Sequence, residues 1–424
     1  MARFVINGGR KLSGQFTPAG NKNAALPMLS AALLTEEEVT IRNVPLIEDV
    51  SCMLEILSDL GVQIEVQDNT VRVCAKNLSN DSLNSKLCGK ARSSILFAGP
   101  MLARCGSVVL DPPGGDVIGR RRLDTHFAGL RALGVEIDFS DRYYFKCNKL
   151  VGVDILLDEA SVTATENIVM ASVLAAGRTT IFNAACEPHV VNLGEMLIGM
   201  GAEIEGLGTN RIVIHGVDRL GGVTCKVEPD HIETGSFVIA SAVTGGRLEV
   251  LNVDPLSVAP LITPLKTIGI ELELSDDKLT VDGTRPKKIK YDFGVSVPRI
   301  ADGVWPSFPS DMMSVAIVAA TQAEGTILFF ERLFESRMYF VDRLIEMGAQ
   351  IIQCDPHRVI VAGPSKLRGS RVTSPDIRAG MAMLIAALCA EGTSVIENAQ
   401  VIDRGYEKIE MRLTALGADI IRED

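Results

Sequence analysis

No two of the nine cysteines stand as C-x-x-C, and the five histidines (His126, His189, His215, His231, His357) lie far apart in the chain. A zinc site needs clustered ligands, so neither a metal nor a cofactor is expected. The odd, scattered cysteines read as reduced and mostly buried thiols. Positive charge is also short, with 42 lysines and arginines against 53 acids and a net charge of −11. General nucleic-acid binding needs many clustered cations, so any anion site here must be local. No uninterrupted apolar run approaches the roughly 18 residues of a membrane span. The opening stretch MARFVINGG has no basic-then-apolar export pattern. A cytoplasmic chain that does not insert into membrane is the expectation.

What is present is globular material: 47% hydrophobic and 22% charged over 424 residues, long enough for two domains. One short pattern recurs six times: ILSDLGVQIEV, GLRALGVEIDF, MLIGMGAEIEG, PLKTIGIELEL, RLIEMGAQIIQ and RLTALGADIIR. The shared glycines, Gly61, Gly134, Gly201, Gly269, Gly348 and Gly417, fall about seventy residues apart. Apolar residues at helical spacing run into a glycine suited to a left-handed helix end, then into alternating residues that suit a strand. Between the copies lies an alanine-rich helical run followed by a turn and a β-branched run, as in VLAAGRTTIFNAA and SAVTGGRLEVLNV. The pattern predicts six small α+β units, with buried helices and outer sheets, grouped as two domains of three. The boundary falls near VEPDHIETG, residues 227–235, and a cleft between similar domains favours a ligand.

Residues of chemical interest gather at the edges of these units. AGNKNAALP puts Lys22 and Asn23 before an apolar helix, where an amino end favours anions; GKARSSILFAGP does the same for Arg92. PPGGDVIGRRR, residues 112–122, crowds Asp116 between glycines and Arg120, Arg121 and Arg122. By itself this is also the pattern of a solvated turn. FPSDMM places Asp311 before an apolar helix, where a helix N-cap is the simpler use. DIRAG supplies Asp376 and Arg378, and IDRGYEKIE supplies Asp403 and Arg404. Arginine forks match phosphate and carboxylate, but spacing does not bring them together. DHIETG reads as a capped turn or hinge.

In order along the chain, AGNKNAALP, PPGGDVIGRRRLDTH, SVTATENI, NAACEP, PDHIETG, FPSDM, SPDIRAG and VIDRGYEKIE resemble the UDP-N-acetylglucosamine 1-carboxyvinyltransferase family, a branch of the enolpyruvyl transferases. The likeness runs the whole length. It implies an inside-out barrel of two domains, each of three βαβαββ units, divided as residues 22–229 and as 1–21 with 230–424. It implies transfer of enolpyruvyl from phosphoenolpyruvate to the 3-hydroxyl of UDP-N-acetylglucosamine, in the peptidoglycan branch that serves cell wall, shape and division. These two substrates are the partners implied; no oligomeric state is.

Carried over by resemblance, Lys22, Asn23, Arg121, Arg378 and Arg404 hold phosphoenolpyruvate. Arg92, the run Arg121, Arg122, Leu123, Asp124 and Thr125, the loop Glu159, Ala160, Ser161 and Val162, and Asp311 and Leu333 contact the sugar nucleotide. Asp116, Asp311, Lys22 and Arg404 form the implied catalytic set. Asp311 accepts the proton of the sugar hydroxyl. Asp116 stands where most members carry a cysteine that acts as general acid and is alkylated by fosfomycin, so insensitivity to that drug is expected. A free aspartate is ionised at neutral pH; it donates a proton only in the closed, loaded site. The chain departs from the family at Thr163, Met313, Ser336 and Phe340, on the sugar-nucleotide side, and in its single tryptophan, Trp305. Two alternatives therefore stay open: a paralogue with another acceptor, and a silent UDP-sugar-binding regulator.

Overall fold

The repeat glycines take the conformation their positions require. All six have φ between +88° and +105°, a region open to glycine and costly for residues with a Cβ. Each ends a helix and releases the chain into a strand. Pro188–Gly199 passes through Gly201 into Glu203–Glu205, and Pro255–Ile268 through Gly269 into Leu272–Ser275. The computed structural model describes residues 2–115, 118, 119 and 121–424.

The second recurring pattern forms the other half of each unit. Val162–Ser172 leads to the strand Arg178–Phe182, and Met313–Thr321 to Gly325–Phe330. The complete unit is βαβαββ. In one sheet Asp154–Leu156 lies parallel to Arg178–Phe182, which pairs antiparallel with Arg211–His215, and Glu203–Glu205 forms the edge. The six sheets among the described residues follow this plan. In the one with three strands, a single parallel bridge from Ser82 to Val109 stands for the missing strand.

The chain forms two compact bodies, residues 20–115 with 121–228, and residues 2–19 with 229–424, to which Ile118 and Gly119 also belong. Each has its own apolar core and holds three of the sheets. Both close on themselves through strands distant in sequence. Val223–Lys226 returns to lie parallel to Val39–Arg42. Arg3–Asn7 inserts between Thr393–Glu397 and Asp419–Glu423, antiparallel to both, while Gly14–Phe16 pairs with Arg247–Val250.

Two kinds of helix result. Glu48–Asp59 buries Asp49, Val50, Cys52, Met53, Ile56 and Leu57 and exposes Glu48, Ser51, Glu55, Ser58 and Asp59, the expected one-sided burial of an outer helix. The alanine-rich helices are buried almost all round: His231 to Val243, the whole of Met313–Thr321, and Ile377 to Leu388. Small residues let these central helices approach closely. A Cβ on Gly99 would lie 2.3 Å from the Asn167 carbonyl oxygen. Because the central helices are sealed along their length, only their ends are available for chemistry.

The segment DHIETG caps and anchors. Asp230 accepts from the N–H groups of Ile232 and Glu233 at 2.8 and 3.1 Å. Buried Glu233 accepts from the Ala19 N–H at 2.7 Å and pairs with Arg412, which also donates to the Thr17 carbonyl at 2.6 Å. Burial pushes the Glu233 carboxyl up to about 7 despite Arg412. This contact ties the amino-terminal segment to the central helix His231–Thr244.

Candidate active site

The residues singled out from sequence stand mainly at the amino ends of the buried helices and in the loops beside them. In the body of residues 20–115 and 121–228, Lys22 opens the helix Lys22–Ala31. Asn21 caps that helix, accepting from the N–H groups of Asn23 and Ala24 at 2.8 and 3.3 Å. The Lys22 side chain is largely buried, and its ammonium meets Asp49 Oδ2 at 2.5 Å. Asn23 is half-buried beside it. Asp49, from IEDV, was not singled out; an acid in the first turn of a helix looks ordinary in sequence.

Arg92 opens the short helix Arg92–Phe97. Its Nη2 donates to the carbonyls of Arg121 and Arg122 at 2.5 and 3.2 Å, so one arginine holds the backbone of the arginine run. Burial, and then the Arg121 charge, bring the Arg92 guanidinium down to about 10. Arg122 points to Asp124 and Asp158, at 3.2 and 2.9 Å. Thr125 donates to Asp158 at 2.7 Å and lies 3.4 Å from Glu159. Through Asp158, another residue not singled out, the Arg121–Thr125 run and the loop of Glu159, Ala160, Ser161 and Val162 come together. Leu123 is buried and precedes the helix Asp124–Ala132.

Thr163, the departure from glycine, has a partner. Its Oγ1 lies 3.0 Å from His126 Nε2, while Asn167 Nδ2 donates to His126 Nδ1 at 3.1 Å. Asn167 Oδ1 in turn accepts from the Gly99 N–H, which orients the amide. Nδ1 is then an acceptor, so Nε2 carries the proton and donates to Thr163. Burial drives His126 down to about 3, so the ring is neutral.

In the other body the decisive group is Asp311. It lies inside the short helix Ser310–Met312, whose N-cap position is taken by Pro309. Its Oδ1 accepts from Arg337 Nη2 at 3.0 Å and Oδ2 from Arg378 Nη2 at 2.7 Å. Two guanidinium groups thus hold one partly exposed carboxylate. Arg378 is placed by Asp376, the N-cap of Ile377–Cys389, which accepts from the N–H groups of Arg378 and Ala379 at 2.8 and 3.0 Å. Burial opposes the Arg378 charge, but Asp311, Tyr406 and Asp230 outweigh it and raise the guanidinium above its usual range. Tyr406 lies 3.5 Å from Arg378 Nη1 and 3.0 Å from the Ser236 hydroxyl.

His231 heads the third central helix of this body. Burial lowers its ring below the ordinary histidine range against the pull of Asp230 and Asp311. Leu333 is exposed, and Arg404 is half-buried at the end of Ala399–Arg404. The structure therefore joins Asp311 to Arg378 directly and brings in Arg337, which sequence reasoning passed over. A cation inside the apolar run RMYF was the available signal.

Asp116 and Arg120 lie outside the described residues. Of the same loop, Ile118 accepts from the Ser336 N–H at 3.1 Å, and a Cβ on Gly119 would come within 2.3 Å of Glu335 Oε2. A surface cavity of about 570 Å³ lies elsewhere, lined by residues such as Gln15, Arg247, Glu249 and Arg285, and includes none of the residues singled out. Among the described residues no group of three His, Cys, Asp or Glu could hold a metal ion, and no helix is long and apolar enough to cross a membrane.

Residues 6–413 match the family model described as EPSP synthase (3-phosphoshikimate 1-carboxyvinyltransferase). The chain is 52% identical over 421 residues to a UDP-N-acetylglucosamine 1-carboxyvinyltransferase of Bradyrhizobium diazoefficiens, covering 99% of this chain and 98% of the relative. This chain belongs to the enolpyruvyl transferase family. Another member, a UDP-N-acetylglucosamine 1-carboxyvinyltransferase of Treponema pallidum, is 49% identical over 424 residues, covering both chains completely. Among solved enolpyruvyl transferases, NikO from Streptomyces tendae superposes with a TM-score of 0.88 at 23% identity, over 99% of this chain and 98% of that one. An EPSP synthase from Acinetobacter baumannii gives 0.78 at 19% identity over the full length of both. These structural likenesses establish the fold of the family.

Proposed function

We infer that this enzyme transfers the enolpyruvyl group of phosphoenolpyruvate to the 3-hydroxyl of UDP-N-acetylglucosamine and releases phosphate, the opening step of peptidoglycan precursor synthesis. Identity near one half over the full length of transferases so named supports the acceptor. The observation that carries the chemistry is Asp311, a carboxylate open enough to meet a substrate and held by two arginines.

The sugar 3-hydroxyl gives its proton to Asp311 as its oxygen bonds to C2 of the enolpyruvyl group. C3 receives a proton from Asp116, as the family pattern implies, forming a tetrahedral adduct. The C2–O bond to phosphate then breaks, C3 returns its proton, and the double bond reforms in the ether product. Lys22, Arg121, Arg378 and Arg404, with Asn23, are assigned to the anionic donor. Arg92, Arg121 to Thr125 and Glu159 to Val162 are assigned to the sugar nucleotide, together with Asp311 and Leu333. For Lys22 the pairing with Asp49 supports this role: an ammonium has three donors, so it can keep Asp49 and still bind phosphate.

Incubation with the two substrates tests the assignment through phosphate release and product mass. Inorganic phosphate and a carboxyvinyl ether of the sugar nucleotide are the expected products. Binding without turnover would overturn the transferase reading; turnover only with a different nucleotide sugar would reassign the acceptor.

A further inference from the structure

Behind Asp311 lies an acidic pair for which the reaction above has no use. Asp302 and Glu331 are both fully buried. Glu331 accepts from the Ser310 hydroxyl at 2.9 Å and from the N–H groups of Leu333 and Phe334 at 3.2 and 3.1 Å. Asp302 Oδ1 accepts from the Arg332 N–H at 2.5 Å. Asp302 Oδ2 is buried and has no hydrogen-bond partner among the described residues, and Asp302 stands near enough to Glu331 to push its carboxyl up. Two carboxylates cannot hydrogen-bond without a proton between them, and a buried oxygen without a partner is costly.

We propose that Asp302 and Glu331 share one proton and, in that singly charged state, position Arg337 on Asp311. The proposal rests on the role of Asp311 as base. Arg337 is buried between the two acidic sites. Its Nη2 is on Asp311, while Nε stands 3.8 Å from Glu331 Oε2. Neither Nε nor Nη1 has a hydrogen-bond partner among the described residues. These idle donors can answer a change of charge on the pair. With one negative charge shared by two carboxyls, the guanidinium keeps Asp311. A second charge would draw Nε to Glu331 and take Nη2 away from the base.

Among the described residues the pair also meets Ser310, the backbone N–H groups of Arg332, Leu333 and Phe334, and His357, whose Nδ1 lies 2.8 Å from the Glu331 carbonyl; Asp311 and Arg378 stand beyond Arg337. Burial, and then Asp302, raise the Glu331 carboxyl to about 8. The proton is thus present at neutral pH and lost as pH rises.

The test is the pH dependence of kcat and of KM for UDP-N-acetylglucosamine from about pH 6 to about pH 9, in the natural enzyme and in two variants. Glu331→Gln leaves one charge on Asp302 and Asp302→Asn leaves one on Glu331, each with an amide donor between the pair. The natural enzyme should lose about tenfold in kcat by about pH 9, as a group titrating near 8 ionises. Both variants should lose less than about twofold over the same range, after a fall of at most about fivefold at neutral pH. A natural profile without that fall, or the same fall in both variants, overturns the positioning role; two variants guard against one failing to fold. Difference infrared spectroscopy reads the pair without turnover: a protonated-carboxyl C=O band should vanish in Glu331→Gln. Its absence from the natural enzyme overturns the shared proton. If Asp311→Asn keeps full turnover, the base reading fails, while the infrared band still decides the pair.

Discussion

The two bodies are built on one plan and charge their helix ends in opposite ways. At the head of Lys22–Ala31 a buried cation meets one acid, Asp49. In the short helix that leads into Met313–Thr321, an acid meets two buried cations, Arg337 and Arg378. The first sets one cation against one acid; in the second a single carboxylate takes two guanidinium groups, with Glu331 standing 3.8 Å behind Arg337. The scaffold sets the position, and the residue in the first turn sets the charge. This is how a chain with a net charge of −11 can build local sites for anions.

The hardest break is to remove the acid from its two cations. Asp311→Asn keeps shape but removes the base, so turnover should fall roughly a hundred- to ten-thousand-fold, with sugar-nucleotide binding retained in calorimetry. A helix cap would tolerate Asn, so unchanged turnover would return Asp311 to a structural role. The proton donor expected at Asp116 sharpens the acid side of the contrast. Asp116→Cys should keep turnover within about tenfold, because a thiol with a pKa near 8.5 can also donate a proton. It should gain time-dependent inactivation by fosfomycin, visible as a mass adduct that the natural chain does not form.

On the cationic side, Lys22→Met takes the ammonium away from a buried carboxylate, Asp49. A loss of about 3–5 kcal/mol in urea unfolding is expected, with a rise of about a hundredfold in KM for phosphoenolpyruvate. Adding Asp49→Leu should restore most of the stability and none of the affinity. Recovery of both would make the pair a packing device. The smallest effect belongs to Thr163. Thr163→Gly restores the family residue but removes the acceptor for His126, worth about 1 kcal/mol. KM for UDP-N-acetylglucosamine should change by only about fivefold, and Thr163→Ser should leave it unaltered.

The unit plan was readable in the chain because its signals are local. A glycine such as Gly201 must sit where φ reaches +104°, and its neighbours carry helical spacing before it and strand alternation after it. The buried central helices were equally legible in runs such as VAIVAA. The pairings at their heads were not. Arg337 and Arg378 stand 26 and 67 positions from Asp311, and no spacing rule relates them. Asp49 looked like an ordinary acid in a first turn, and His126 gave no sign that it would meet Thr163. The resemblance supplied names for several of these residues, but not Arg337, Asp302 or Glu331.

By itself, then, the sequence determined the six-fold repeat, the two kinds of helix and the family, because backbone conformation and amphipathic period depend on residues within a few positions of one another. Only the tertiary structure decided that Asp311 grips two arginines, and that two more acids lie buried behind Arg337. Those choices depend on which helix heads the sheets bring together and on how far they exclude water, and both are properties of the closed core.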